Sequence, residues 1–138
     1  MDKDPEKPVS PVGWRVLVID DGMMNRRLCE RMLRHLGCEV VTAEDVESAL
    51  VAVRSGRFDL ILSDVEMPGT DGVAGVVRLR EAARGQGGRL PPIVAISGQA
   101  LGADVAAYRE AGFHDYLPKP VMVDDLREGL SRWIGTGS

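Results

Sequence analysis

Asp20, Asp21, Asp64, Ser97 and Lys119 are the residues whose types and spacing could do chemistry. Asp20-Asp21 follows the apolar run Arg15-Val16-Leu17-Val18-Ile19, and Asp64 follows Phe58-Asp59-Leu60-Ile61-Leu62-Ser63. Ser97 follows Ile93-Val94-Ala95-Ile96, and Lys119 follows Tyr116-Leu117-Pro118. Three carboxylates brought together repel, and one is driven to hold a proton unless a cation intervenes. A hard divalent cation answers that demand, and Mg²⁺ takes a few carboxylates while keeping waters. The compact Lys119 ammonium suits a phosphate oxygen or a carboxylate, and the Ser97 hydroxyl can donate to an anionic oxygen. A carboxylate nucleophile, a metal, a cation and a hydroxyl are together the parts of a phosphoryl-transfer site. A lone aspartate at a strand end is more often a helix cap. Five such positions on one rim need another explanation.

The elements that must position these groups follow from periodicity. The runs at 15–19, 39–43, 58–63, 93–96 and 116–117 are short and continuous, as strands buried on both faces are. A helix over about 23–36 is predicted with Met24, Leu28, Met32 and Leu36 on one stripe and Gly37 at its end. Asp45 offers a cap to a helix bearing Val46, Ala49, Leu50 and Val53, stopped by Gly56. Asp71 is expected to cap a third helix bearing Val73, Val76 and Val77. A fourth is expected over about 101–111, closed by Gly112, and a last one carries Leu126, Leu130, Trp133 and Ile134.

Strand and helix alternating five times imply a parallel sheet with helices on both faces and right-handed crossovers. The fold class is therefore α/β, a single (βα)5 doubly wound sheet of five parallel strands in the common order 2-1-3-4-5. Ligands of such sheets bind beyond the carboxyl ends of the strands, where all five residues fall. Pro5, Pro8 and Pro11 mark residues 1–13 as a flexible tail. The folded domain is expected over 14–134, with 135–138 as a second tail.

Composition narrows the partners. The chain has 138 residues, 44% hydrophobic and 28% charged, enough for one domain with a real core. Its net charge of −4 disfavours a nucleic-acid grip built on bulk positive charge. Aromatic content is 4%, so the core must be aliphatic. Cys29 and Cys38 are too few for a disulfide framework, and no zinc spacing is completed with His35. No apolar run is long enough to span a membrane, and the acidic, proline-interrupted start is not expected to act as a signal peptide. A cytoplasmic location is expected, with no direct contact to membrane or nucleic acid. Phosphate-loop, dinucleotide and nucleophile-elbow motifs are absent.

The same residues resemble the receiver domains of response regulators in two-component signalling. The resemblance covers about 14–134. It rests on Val18-Ile19-Asp20-Asp21 with Asn25-Arg26, on Ser63-Asp64-Val65-Glu66-Met67-Pro68 with Asp71-Gly72, on Ala95-Ile96-Ser97-Gly98, and on Asp115-Tyr116-Leu117-Pro118-Lys119-Pro120. Asn25-Arg26 and the Tyr116 segment are most similar to receivers of hybrid histidine kinases and phosphorelays.

The resemblance implies a phosphoacceptor at Asp64. It implies Mg²⁺, with Mn²⁺ as a substitute, held by Asp21, by Asp20 mainly through water, by Asp64 and by the Glu66 backbone carbonyl. It implies Lys119 against the phosphoryl group, a cis Lys119–Pro120 bond, and Ser97 and Tyr116 as a switch pair. The readout face would be the fourth helix, fifth strand and fifth helix. The donor would be a histidine kinase or a histidine phosphotransfer protein, with a downstream effector protein as the reader. Such a chain is regulatory rather than an enzyme acting on other substrates, and monomeric or weakly dimeric. It would be either a stand-alone receiver or one cut from a hybrid kinase. Ser97 and Gly98 depart from the commoner Thr and Ala, and Glu66 adds a fourth carboxylate, which bears on switching rate and phosphoryl lifetime. Two other readings compete. An aspartyl-phosphate phosphohydrolase would show Asp-x-Asp at the first strand, where this chain has an adjacent pair. A phosphorylation-independent adaptor would not need the intact set.

Overall fold

Five short strands lie parallel in the order β2-β1-β3-β4-β5: β1 Arg15–Ile19, β2 Glu39–Ala43, β3 Leu60–Asp64, β4 Ile93–Ser97 and β5 Asp115–Pro118. The computed structural model describes residues 13–65, 72–84, 90–98, 106 and 109–135. Helices α1 (Met23–His35), α2 (Val46–Ser55) and α3 (Gly72–Arg84) alternate with the strands. Residues 106 and 109–111 are helical and stand for α4. Helix α5 (Val123–Leu130) runs on into a π-helical turn, Ser131–Gly135. The expected fold and strand order are those observed. Among the described residues, no helix is long and apolar enough to cross a membrane.

Alternation along the strands sorts the core into two layers, because successive side chains point to opposite faces. Leu17, Ile19, Ile61 and Ile93 pack with α2 and α3 through Leu50, Val53, Val76 and Leu79. Val16, Val18, Leu60 and Leu62 pack on the other face with Cys29, Leu33, Leu126 and Leu130 of α1 and α5. β3 and β4 are buried at every residue, which is why their sequences read as unbroken apolar runs.

Local signals account for several helix ends. The Asp45 carboxylate accepts from the Ser48 amide at 2.8 Å and caps α2, and Gly56 ends it. Gly37 and Gly112 take φ of 97° and 122°, the left-handed region that closes α1 and the helical residues 109–111.

Two stripes need correction. On α1, Met24 is 80% exposed and Leu28 is exposed too, while Met32 and Leu36 are only half-buried. Steps of four residues advance about 40° round a helix, so that row winds from solvent towards the sheet. Cys29 and Leu33 form the true core face. On α3, Val77 is exposed, and Val76, Leu79 and Ala83 face inward. Asp71 and the side chain of Val73 lie outside the described residues, as do the 85–89 connection, most of 101–108 and the proline-bearing tail. β3 begins at Leu60, two residues later than the apolar run suggested. There Asp59 stays outside the strand and accepts from the Arg15 amide at 2.8 Å.

Candidate functional site

The carboxyl ends of β1, β3, β4 and β5 share one rim, and register fixes which residues meet there. Ile19 pairs with Ser63, Asp64 with Ile96, and Ser97 with Pro118. The main chain continues past the strands: Asp20 N–H donates to the Ala43 carbonyl at 3.1 Å, and Lys119 N–H to the Ser97 carbonyl at 3.0 Å. The Lys119–Pro120 bond is cis.

Asp20, Asp21 and Asp64 each place a carboxylate oxygen within 4.8 Å of the other two. Asp64 is 2% exposed and Asp20 4%, whereas Asp21 is open to solvent. Lys119 Nζ lies 3.1 Å from one Asp64 oxygen and 3.2 Å from the other. The Gly22 amide donates to Asp20 Oδ1 at 2.8 Å. Burial pushes the Asp20 carboxyl above its ordinary value and the charge of Asp64 adds to the rise, against the lowering by the Gly22 amide and Lys119. One ammonium faces three carboxylates, and such an all-oxygen donor set fits a hard divalent cation.

Ser97 is buried at the end of β4, one residue past the partner of Asp64. Tyr116 is half-buried and packs on the α2–α3 core layer. Glu66 lies outside the described residues. The structure thus brings together three aspartates and Lys119, with Ser97 on the neighbouring strand end. His35 and His114 are exposed and stand apart from the rim. Cys29 and Cys38 are buried free thiols. Burial pushes Cys29 up to about 12, with the Asp20 charge adding to it, and Cys38 up to about 11, with Asp59 adding to it, so both stay protonated.

A second polar group escaped sequence reasoning. Asp115 Oδ2 accepts from Trp133 Nε1 at 2.9 Å and from Arg132 Nη2 at 3.3 Å, while its Oδ1 accepts from the Tyr116 amide at 2.8 Å. Arg132 and Trp133 lie 17 and 18 residues away, so no local spacing announces them.

A parallel sheet with paired acids after its first strand, a third on the neighbouring strand and a lysine on the cis-proline loop defines a phosphoacceptor-type α/β domain. The response regulator receiver domain model matches residues 16–131, and the chain belongs to that family. It is a receiver domain of two-component and phosphorelay signalling. The sensor histidine kinase GacS of Pseudomonas protegens is 33% identical over 132 residues, 96% of this chain and 14% of GacS. The virulence sensor protein BvgS of Bordetella pertussis is 37% identical over 132 residues, 94% of this chain and 10% of BvgS. The chain thus spans a small fraction of these relatives.

Among solved structures, the receiver domain of the sensor histidine kinase PA1611 from Pseudomonas aeruginosa superposes with a TM-score of 0.77 at 35% identity. The match covers 90% of this chain and 99% of that one, which carries a magnesium ion in its active-site cleft. The chemotaxis protein CheY4 of Vibrio cholerae gives a TM-score of 0.79 at 28% identity, covering 89% and 100%.

Proposed function

We propose that the domain, residues 14–134, accepts a phosphoryl group from a phosphohistidine donor onto Asp64. The observation that carries this is the buried Asp64 carboxylate held between Lys119 and the Asp20–Asp21 pair. An Asp64 oxygen attacks phosphorus as the P–N bond to the donor imidazole breaks. The imidazole keeps the bonding pair and takes up a proton from solvent. Lys119 faces a phosphoryl oxygen, and the Ser97 hydroxyl donates to another. Mg²⁺, or Mn²⁺ in its place, supplies charge neutralisation when held by Asp20, Asp21, Asp64 and the Glu66 carbonyl. Phosphorylation adds about 1.5–2 negative charges, and we assign Ser97 and Tyr116 as the pair that relays the change to α4, β5 and α5.

The donor is a histidine kinase or histidine phosphotransfer protein, a reading supported by the sensor-kinase relatives. It is also supported by an apolar groove of about 340 Å³ that includes Asp20, Lys119, Leu28 and Val121, with Met24 and Met122 also exposed nearby in sequence. A downstream effector protein reads the result. The domain works as a regulatory acceptor in the cytoplasm, as a monomer or weak dimer, without turnover of other phosphate esters.

Incubation with a small phosphodonor and Mg²⁺, followed by intact mass, tests the proposal. One phosphoryl adduct is expected with wild type and none with Asp64→Ala. An adduct that persists in the variant would overturn the assignment of Asp64. Steady hydrolysis of unrelated phosphate esters would favour the phosphohydrolase reading.

A further inference from the structure

The side chain of Arg26, in α1, reaches back to the end of β1. Its Nη1 donates to the Asp20 backbone carbonyl at 2.9 Å. That carbonyl belongs to the peptide plane joining Asp20 to Asp21. The plane sets the direction in which both side chains leave the chain, because a peptide unit turns as a rigid body. Asp20 is also held by its N–H on Ala43 and by its carboxylate on the Gly22 amide. Neither contact fixes the Asp20–Asp21 plane. Arg26 is itself rooted, since its backbone N–H donates to the Gly22 carbonyl at 2.9 Å as α1 begins, and its side chain is half-buried. Gly22 gives α1 no side-chain cap, so the Arg26 fork is the side-chain tie between that helix start and the acidic pair.

We propose that Arg26 is a positioning residue for the divalent-cation site, acting by locking the Asp20–Asp21 peptide so that both carboxylates converge with Asp64. This rests on reading the rim as a Mg²⁺-dependent phosphoacceptor site. Two physical effects of Arg26 have opposite signs. As a nearby positive charge it repels Mg²⁺, so its removal alone would tighten binding. As a lock it pre-organises two ligands, so its removal loosens binding. Partners of metal ligands that act this way typically change affinity by 10–100-fold. A half-exposed cation acting through solvent changes it far less.

The sign of the change is therefore the test. Mg²⁺ binding to wild type, Arg26→Gln and Arg26→Lys is measured by calorimetry, alongside metal-free melting. Arg26→Gln should weaken Mg²⁺ binding about tenfold. Arg26→Lys keeps the charge and one donor but loses the planar fork, so it should fall between the two. With a small phosphodonor, the loss should appear as a higher Mg²⁺ concentration for half-maximal rate rather than as a lower plateau. Unchanged or tighter binding in Arg26→Gln overturns the proposal. If Arg26→Gln does not fold, Arg26→Lys decides alone, and affinity equal to wild type overturns it. Absence of Mg²⁺ binding in wild type itself would instead overturn the reading of the rim, so the two failures are distinct.

Discussion

Asp20 and Asp115 are both partly or wholly buried aspartates at strand ends, and the protein pushes their carboxyl groups in opposite directions. At the carboxyl end of the sheet, burial raises Asp20, and its neighbour Asp64 raises it further. At the amino end, burial alone would raise Asp115, but the Trp133 hydrogen bond, the Tyr116 amide and Arg132 outweigh it and hold the group below its ordinary value. The same contrast runs through the surroundings. The amino end opens on a larger cavity, about 810 Å³, yet the Asp115 and Arg15 charges at this end have partners. Arg15 donates to the Arg57 carbonyl at 2.9 Å, pairs with Glu39 at 3.5 Å and lies 4.7 Å over the Phe58 ring. Cavity size does not mark the chemistry here. What marks it is like charge that the fold brings together and leaves only partly compensated.

The comparison predicts that changes at the amino end cost stability, while a change at the acidic rim can add it. The largest effect is expected from Trp133→Ala. The buried indole fills one core layer and folds over Gly129, where any Cβ would enter the ring's space. Truncating a buried aromatic costs about 3–5 kcal/mol. Denaturant unfolding measures it, and a loss below about 1 kcal/mol would mean the amino end is less structural than its contacts imply.

Asp115→Ala should cost about 2 kcal/mol, because it leaves the Trp133 indole N–H and the Tyr116 amide without their acceptor. This effect carries a pH signature. The folded-state carboxyl of Asp115 lies below the ordinary value of 3.8, so its stabilisation is full above that value. It is lost as pH falls through the depressed folded value. The gap between wild type and variant should stay constant from neutral pH to about 4 and shrink below it. A gap that widened on acidification would reverse the assigned direction.

The two ends also differ in how far the sequence disclosed them. The acidic rim was legible because parallel strands buried on both faces are unbroken apolar runs. Each run ends abruptly at a polar residue: Asp20 after Ile19, Asp64 after Ser63, and Ser97 after Ile96. Strand order then places those ends together. The Asp115–Trp133–Arg132 group was not legible, since it joins the start of β5 to a distant π-helical turn whose Trp133 packs over Gly129. The face of α1 was misread for a related reason. Met24 and Leu28 are apolar enough to look like core, and only the sheet's position selects Cys29 and Leu33 instead.

The smallest predicted effect has the opposite sign. Asp20→Asn removes a buried charge from beside Asp64, and the amide oxygen can still accept from the Gly22 N–H. Metal-free protein at neutral pH should therefore gain about 1 kcal/mol. Mg²⁺ should invert the order. A ligand at about a hundredfold excess over its Kd stabilises by about 2.7 kcal/mol, and wild type alone keeps the full carboxylate set. Melting wild type and variant with chelator and then with Mg²⁺ separates the two cases. A variant less stable than wild type with chelator present would mean that Lys119 and the Gly22 amide already compensate the rim, and the distinction between the two ends of the sheet would fail there.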